Sequence, residues 1–177
     1  MKHLGLSLAV VILAATGVSA GPQLARASAP TGVRVIDFDT LKPLLPPFAG
    51  WTQTDTKGEQ LSAPVSHSRA ETRYRRNDER IELEIVDTAT SPLLLAPFAM
   101  FVAPGYSERS EDGFKRAVRI GGHPGAEEWN VKTGRGEVTA IVANRFLVRA
   151  MGSHVGDLTS VRALVESVDF ARLTALR

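Results

Sequence analysis

Between residues 68 and 86 the chain alternates with a period of two. Ala70, Thr72 and Tyr74 take one side of a strand, while Arg69, Glu71 and Arg73 take the other. After Asn77-Asp78, Ile81, Leu83 and Ile85 alternate with Glu82 and Glu84. A turn at Asn77-Asp78 sets Tyr74 opposite Ile81, Thr72 opposite Leu83, Ala70 opposite Ile85 and Arg73 opposite Glu82. This one register gathers the apolar residues on one face and opposes unlike charges on the other, which is how register becomes specified.

A second hairpin is predicted from residues 137–143 to 146–151, turning at Asn144-Arg145. Both of its faces are apolar: Ile141, Phe146 and Val148 on one, Val138, Val142, Leu147 and Met151 on the other. Strands covered on both sides belong in the middle of a sheet. Residues 125–131 pair with 137–143 through the turn Lys132-Thr133-Gly134-Arg135, placing Trp129 near Val138. Residues 114–120 form a further strand ended by Gly121-Gly122, and residues 52–64 read as a loop or weak edge strand. A C-terminal helix follows Asp157 as its cap, with Leu158, Val161, Leu164, Val165 and Val168 as a buried stripe and Arg162 and Glu166 outside. Near the start, Asp37 or Asp39 caps a short helix bearing Phe38, Leu41, Leu44 and Leu45, which Pro46-Pro47 ends. The predicted fold is α+β: an antiparallel sheet of about six strands flanked by two or three helices, an α/β sandwich.

Residues 92–104, PLLLAPFAMFVAP, carry no polar side chain at all. Ser91 and Pro92 suit the N-cap and first position of a helix, Pro97 kinks or restarts it, and Pro104 stops it. The run is far too short to span a membrane. It is either a helix buried nearly all round, or a partly exposed apolar patch for a partner, a lipid or a hydrophobic ligand. In the second case Phe98, Met100, Phe101 and Tyr106 are the candidate contact residues, because aromatic and Met side chains dominate such surfaces.

Residues 1–20 read as an export signal: Lys2 and His3, the largely apolar residues 4–13, and the small-residue cleavage site Val18-Ser19-Ala20. Residues 21–36 then form a flexible leader and residues 37–177 a single domain. No Cys follows the signal for a lipid anchor, so no membrane attachment is expected after signal removal, and the location is periplasmic or secreted. The absence of Cys also excludes disulfides, zinc–thiolate sites and thiol nucleophiles. The 21 basic and 19 acidic residues nearly balance, which leaves too little positive charge for a nucleic-acid partner.

Catalytic signatures are missing. There is no G-x-S-x-G elbow, H-E-x-x-H pair, P-loop or dinucleotide fingerprint. His67 lies in a polar stretch, His123 in the turn Gly121-Gly122-His123-Pro124-Gly125, and His154 three residues before Asp157. None has metal-ligand spacing. Glu127 and Glu128 are adjacent on a strand and point to opposite faces, so they form no acid–base dyad. No catalytic residue, cofactor or metal is assigned.

Gly50-Trp51, the hairpin ending Ile85-Val86-Asp87-Thr88, the turn Gly122-His123-Pro124-Gly125 leading to Glu128-Trp129, and Asn144-Arg145-Phe146-Leu147-Val148 before a terminal helix follow one another in that order. In this order they resemble a group of small, uncharacterised exported bacterial proteins, and more distantly the layout is similar to the PsbP-like α/β sandwich. PsbP-like proteins are accessory subunits of a photosynthetic complex, and a nuclear-transport relative of that fold binds a small GTPase. The resemblance implies action through a surface and transfers no functional residue. The expected function is therefore a non-enzymatic exported accessory protein that binds an envelope partner. The alternatives are a carrier of a small apolar ligand or lipid and, third, a hydrolase or metal-dependent enzyme.

Overall fold

The computed structural model describes residues 34–89 and 91–177. The export signal and most of the leader lie outside the described residues. A short helix α1 (Phe38–Leu41) runs into a 3₁₀ turn (Lys42–Leu44). Asp37 caps it by accepting a hydrogen bond from the Asp39 amide, and Leu41, Leu44 and Leu45 are buried. Then come β1 (Thr52–Leu61), β2 (His67–Arg76), β3 (Glu79–Asp87), α2 (Pro92–Ala99), β4 (Ser107–Ser110), β5 (Gly113–Ile120), β6 (His123–Asn130), β7 (Arg135–Val142), β8 (Phe146–Ser153), α3 (Thr159–Glu166) and α4 (Phe170–Ala175).

The strands form one antiparallel sheet in the order β1-β2-β3-β8-β7-β6-β5-β4. This corrects the expected six strands flanked by helices. The sheet has eight strands, and only about 20% of the structure is helical. The two strands beyond those six, β1 and β4, are the sheet's edges: β1 takes the edge-strand alternative for residues 52–64, and β4 was not predicted. Their side chains are almost all exposed, so neither carries the apolar alternation by which strands are recognised. The short α4 was also not predicted, as it buries only Leu173.

Two meanders meet at the β3–β8 seam, β1 to β3 on one side and β4 to β8 on the other. The β2–β3 register follows the alternation: Tyr74 opposite Ile81, Thr72 opposite Leu83, Ala70 opposite Ile85 and Arg73 opposite Glu82. The β7–β8 hairpin differs by one residue from expectation. Val142 faces Phe146 and Ile141 faces Leu147, because the turn has three residues, Ala143, Asn144 and Arg145. Ala143 and Asn144 both adopt positive φ. Arg145 is drawn out of the strand because its side chain is committed elsewhere. Its Nε and Nη2 each donate to a different oxygen of buried Asp87 at 2.7 Å. Asp87 also accepts from the Ile36 amide, and Arg145 donates to the Arg34 carbonyl. Ser68 donates to the Ile36 carbonyl.

The core lies on one face of the sheet, beneath α1, α3 and α4. Ala70, Tyr74, Ile81, Leu83, Ile85, Val138, Ala140, Val142, Phe146, Val148 and Ala150 meet Leu41, Leu44, Val161, Leu164, Val165 and Leu173. Asp157 accepts from the Thr159 amide ahead of α3. Helix α3 comes close because Gly152 lies under it: a Cβ there would stand 2.7 Å from the Val161 side chain. Among the described residues no helix is long and apolar enough to cross a membrane.

Candidate functional site

The sheet's second face, crossed by the segment that begins with α2, carries the candidate site. Topology explains why an apolar segment crosses it. The chain leaves β3 in the middle of the sheet and must reach β4 at the far edge. Helix α2 and the turns after it form that crossing. The Phe98 ring lies 5.9 Å from the Arg149 guanidinium on β8, and the Phe101 ring lies 3.6 Å from Lys115 Nζ on β5. Phe101 also packs edge-on against Tyr106 at 5.4 Å, and the Tyr106 carbonyl accepts from the Ala117 amide. Leu147, Ile141 and Ala126, on the same face, are buried. The segment is thus a strap, apolar underneath because it lies on a sheet.

Its outer side is apolar as well. Leu93 is 67% exposed and Met100 59% exposed, and Ala96, Pro97 and Ala99 are exposed beside them. Of the four sequence-predicted contact residues, Met100 faces solvent. Phe98, Phe101 and Tyr106 are half-buried, and only Phe101 and Tyr106 touch each other. A helix buried nearly all round is therefore not what the structure contains. Leu93, the most exposed of these residues, was not singled out by sequence. It lies inside the same apolar run, but a single helical turn does not reveal which side will face water. Tyr106 donates to Glu108 at 2.8 Å, and that hydrogen bond raises its pKa.

Beyond the strap the face is charged. Glu84 is buried, with Arg149 Nε at 2.6 Å from Oε1 and Arg69 Nε at 2.7 Å from Oε2, the latter an ion pair without hydrogen-bond alignment. Arg69 also pairs with Glu71. One row further out, Arg73 donates to Glu82 at 2.9 Å and Lys115 pairs with Glu128 at 2.8 Å. Two adjoining open hollows, of about 590 and 340 Å³, share Glu82, Met151 and Ser153. A smaller hollow of about 250 Å³ beside the strap is lined by Val102, Pro104, Ala117 and Pro124.

The three histidines among the described residues stay apart. His67 Nδ1 lies 3.2 Å from the Val65 carbonyl, His123 packs edge-on to Phe170 at 5.2 Å, and His154 is exposed at positive φ. Among the described residues no group of three or more His, Cys, Asp or Glu is arranged to hold a metal. Glu127 and Glu128 point to opposite faces. Glu127 is buried on the helix face, where Arg116 donates to it at 2.8 Å and Arg162 pairs with its other oxygen at 2.5 Å. Burial lowers the Arg162 pKa, but the hydrogen bonds and charges of Glu127 and Glu166 together outweigh it and the net direction is upward. No family model, curated protein or solved structure matches the chain.

Proposed function

We propose that this is an exported, non-enzymatic accessory protein that seats an apolar segment of an envelope protein against the outer side of α2. The observation that supports the reading is the exposure of Leu93 and Met100 on a strap that needs only its inner side to be apolar. Polar residues on the outer side would cost the fold nothing, so selection for folding does not account for them. A carrier of a small apolar ligand has less support, because the two adjoining hollows are open and charged, lined by Glu82, Glu128, Glu137 and Arg135 in one and by Asp55, Arg73, Arg75 and Arg80 in the other.

A photo-crosslinking residue at position 100, expressed in the native envelope, tests the reading. One dominant protein adduct is expected, absent when the crosslinker sits at Arg172 and lost when Leu93→Asp is added. Equal labelling from both positions, or adducts only with a second copy of this chain, would overturn it.

A further inference from the structure

Apart from Arg119, which donates to the Gly122 carbonyl, the strand arginines of the open face fall into two sets. Arg69, Arg73 and Arg149 are paired with carboxylates of the same face. Arg75, Arg80 and Arg135 are exposed, and among the described residues none of these three has an ion pair or a side-chain hydrogen bond. Strand register places them in one row. Arg75 stands opposite Arg80, Arg80 opposite Ser153, Ser153 opposite Arg135, and Arg135 opposite Asn130. Residues directly opposite share a face, so all five project to the open side. With strands about 4.8 Å apart, Arg75 and Arg80 spring from points about 5 Å apart, and Arg135 from about 10 Å beyond Arg80.

This row runs against the pattern of its neighbours. One row inward, Arg73 faces Glu82; at the rim, Arg75 faces Arg80, and like charges directly opposite destabilise a sheet. The row borders both hollows, with Arg75 and Arg80 lining one, Arg135 the other, and Ser153 shared. Most carboxylates of the hollows are already met. Arg73 serves Glu82 at 2.9 Å and Asp55 at 3.8 Å, and Lys115 serves Glu128. Glu137, one row deeper than Arg135, has no cation partner among the described residues. It accepts only from the Thr139 hydroxyl at 3.2 Å. The Asn130 carbonyl oxygen is taken by the amide and hydroxyl of Thr133, both at 3.0 Å, which leaves its NH₂ free to donate.

We propose that this rim is a binding site for clustered phosphate groups, presented either by a soluble polyphosphate or by the head groups of an anionic lipid surface. Three guanidinium forks with the Ser153 hydroxyl and the Asn130 amide supply donors from several directions. That suits tetrahedral oxyanions with three acceptor oxygens each better than a single planar carboxylate. Glu137, one row deeper, keeps an anion at the rim from settling further in. The site owes nothing to α2 and stands or falls separately from the apolar patch.

Titration calorimetry of the full chain with inorganic tripolyphosphate tests it, together with sedimentation with phosphatidylcholine vesicles made with or without phosphatidylglycerol. Wild type is expected to bind at least one anionic probe, more weakly as salt rises. The triple variant Arg75→Gln/Arg80→Gln/Arg135→Gln should lose about tenfold or more, and Glu137→Gln should tighten binding. The triple variant should melt no lower than wild type, since opposed like charges are removed. Binding to anionic vesicles alone assigns the head-group source, and binding to tripolyphosphate alone assigns the soluble one. Arg109→Gln/Arg172→Gln/Arg177→Gln removes the same charge elsewhere. An equal loss in that control, no binding of either anionic probe, or weaker binding by Glu137→Gln would overturn the proposal.

Discussion

Each face of the sheet buries a glutamate, Glu127 on one and Glu84 on the other, and covers it with different materials. On the helix face Glu127 is held by Arg116 of β5 and by Arg162, which α3 delivers from above. On the open face Glu84 is held by Arg69 of β2 and Arg149 of β8, both from strands flanking its own. Both carboxylates have side chains only 3% exposed. In the first case the ion pair also fastens a second layer to the sheet. In the second, the aliphatic stems of the arginines are themselves the cover, as long charged side chains can be. On that face the cover comes chiefly from the sheet's own arginines, with the Phe98 ring of α2 beside Arg149, rather than from a layer of helices.

Removing the cations tests that difference most severely. Arg116→Ala/Arg162→Ala strands Glu127 beneath α3 and is expected to cost about 3 kcal/mol, at the low end for a broken buried pair because both arginines are partly exposed. Urea denaturation measures it. The matching change on the open face, Arg69→Ala/Arg149→Ala, is expected to cost less, about 2 kcal/mol, since water can replace the lost guanidinium groups there. Equal losses would mean that the helix layer adds nothing to the pairing.

A pH series separates the faces again. Tyr74, buried on the helix face with its hydroxyl donating to the Pro46 carbonyl at 2.5 Å, has its pKa raised by burial. The unfolded tyrosine releases its proton near pH 10 while the native one keeps it, so stability falls as pH rises above that value. At one unit above, wild type should have lost about 1.4 kcal/mol that Tyr74→Phe does not lose, as read from melts at the two pH values. The smallest effect is expected on the strap. Leu93→Asp/Met100→Asp should shift stability by less than about 0.5 kcal/mol, because both side chains already face solvent. A large loss would show that the strap's outer side serves the fold after all.

What could be read from the sequence follows where burial is one-sided. The β2–β3 register was legible because one face meets a core and the other meets water, which leaves a single consistent pairing. That same pairing sets Arg75 against Arg80, a repulsion written in the local pattern itself. Completing the row to Arg135 required the β3–β8 seam, which no local pattern encodes. The β7–β8 register slipped because both strands are apolar on both sides, so a one-residue shift costs no visible pattern. The residue that decides it, Arg145, answers to Asp87, 58 positions away. The strap was legible as an apolar, proline-marked helix, but its exposure depends on the crossing from β3 to β4.

The Asp87–Arg145 pair also bears on time. Its hydrogen bonds join positions 34, 36, 87 and 145, up to 111 residues apart, so it closes only when most of the chain is at hand. Until β8 arrives, β3 has a neighbour on one edge only, and Ile81, Leu83 and Ile85 wait for Gly152, Ala150 and Val148. Hairpins within each meander can form early, but the seam between them is a distant contact and closes slowly. The two meanders thus stay unjoined until nearly all of the described chain, from Arg34 to Arg145, is present.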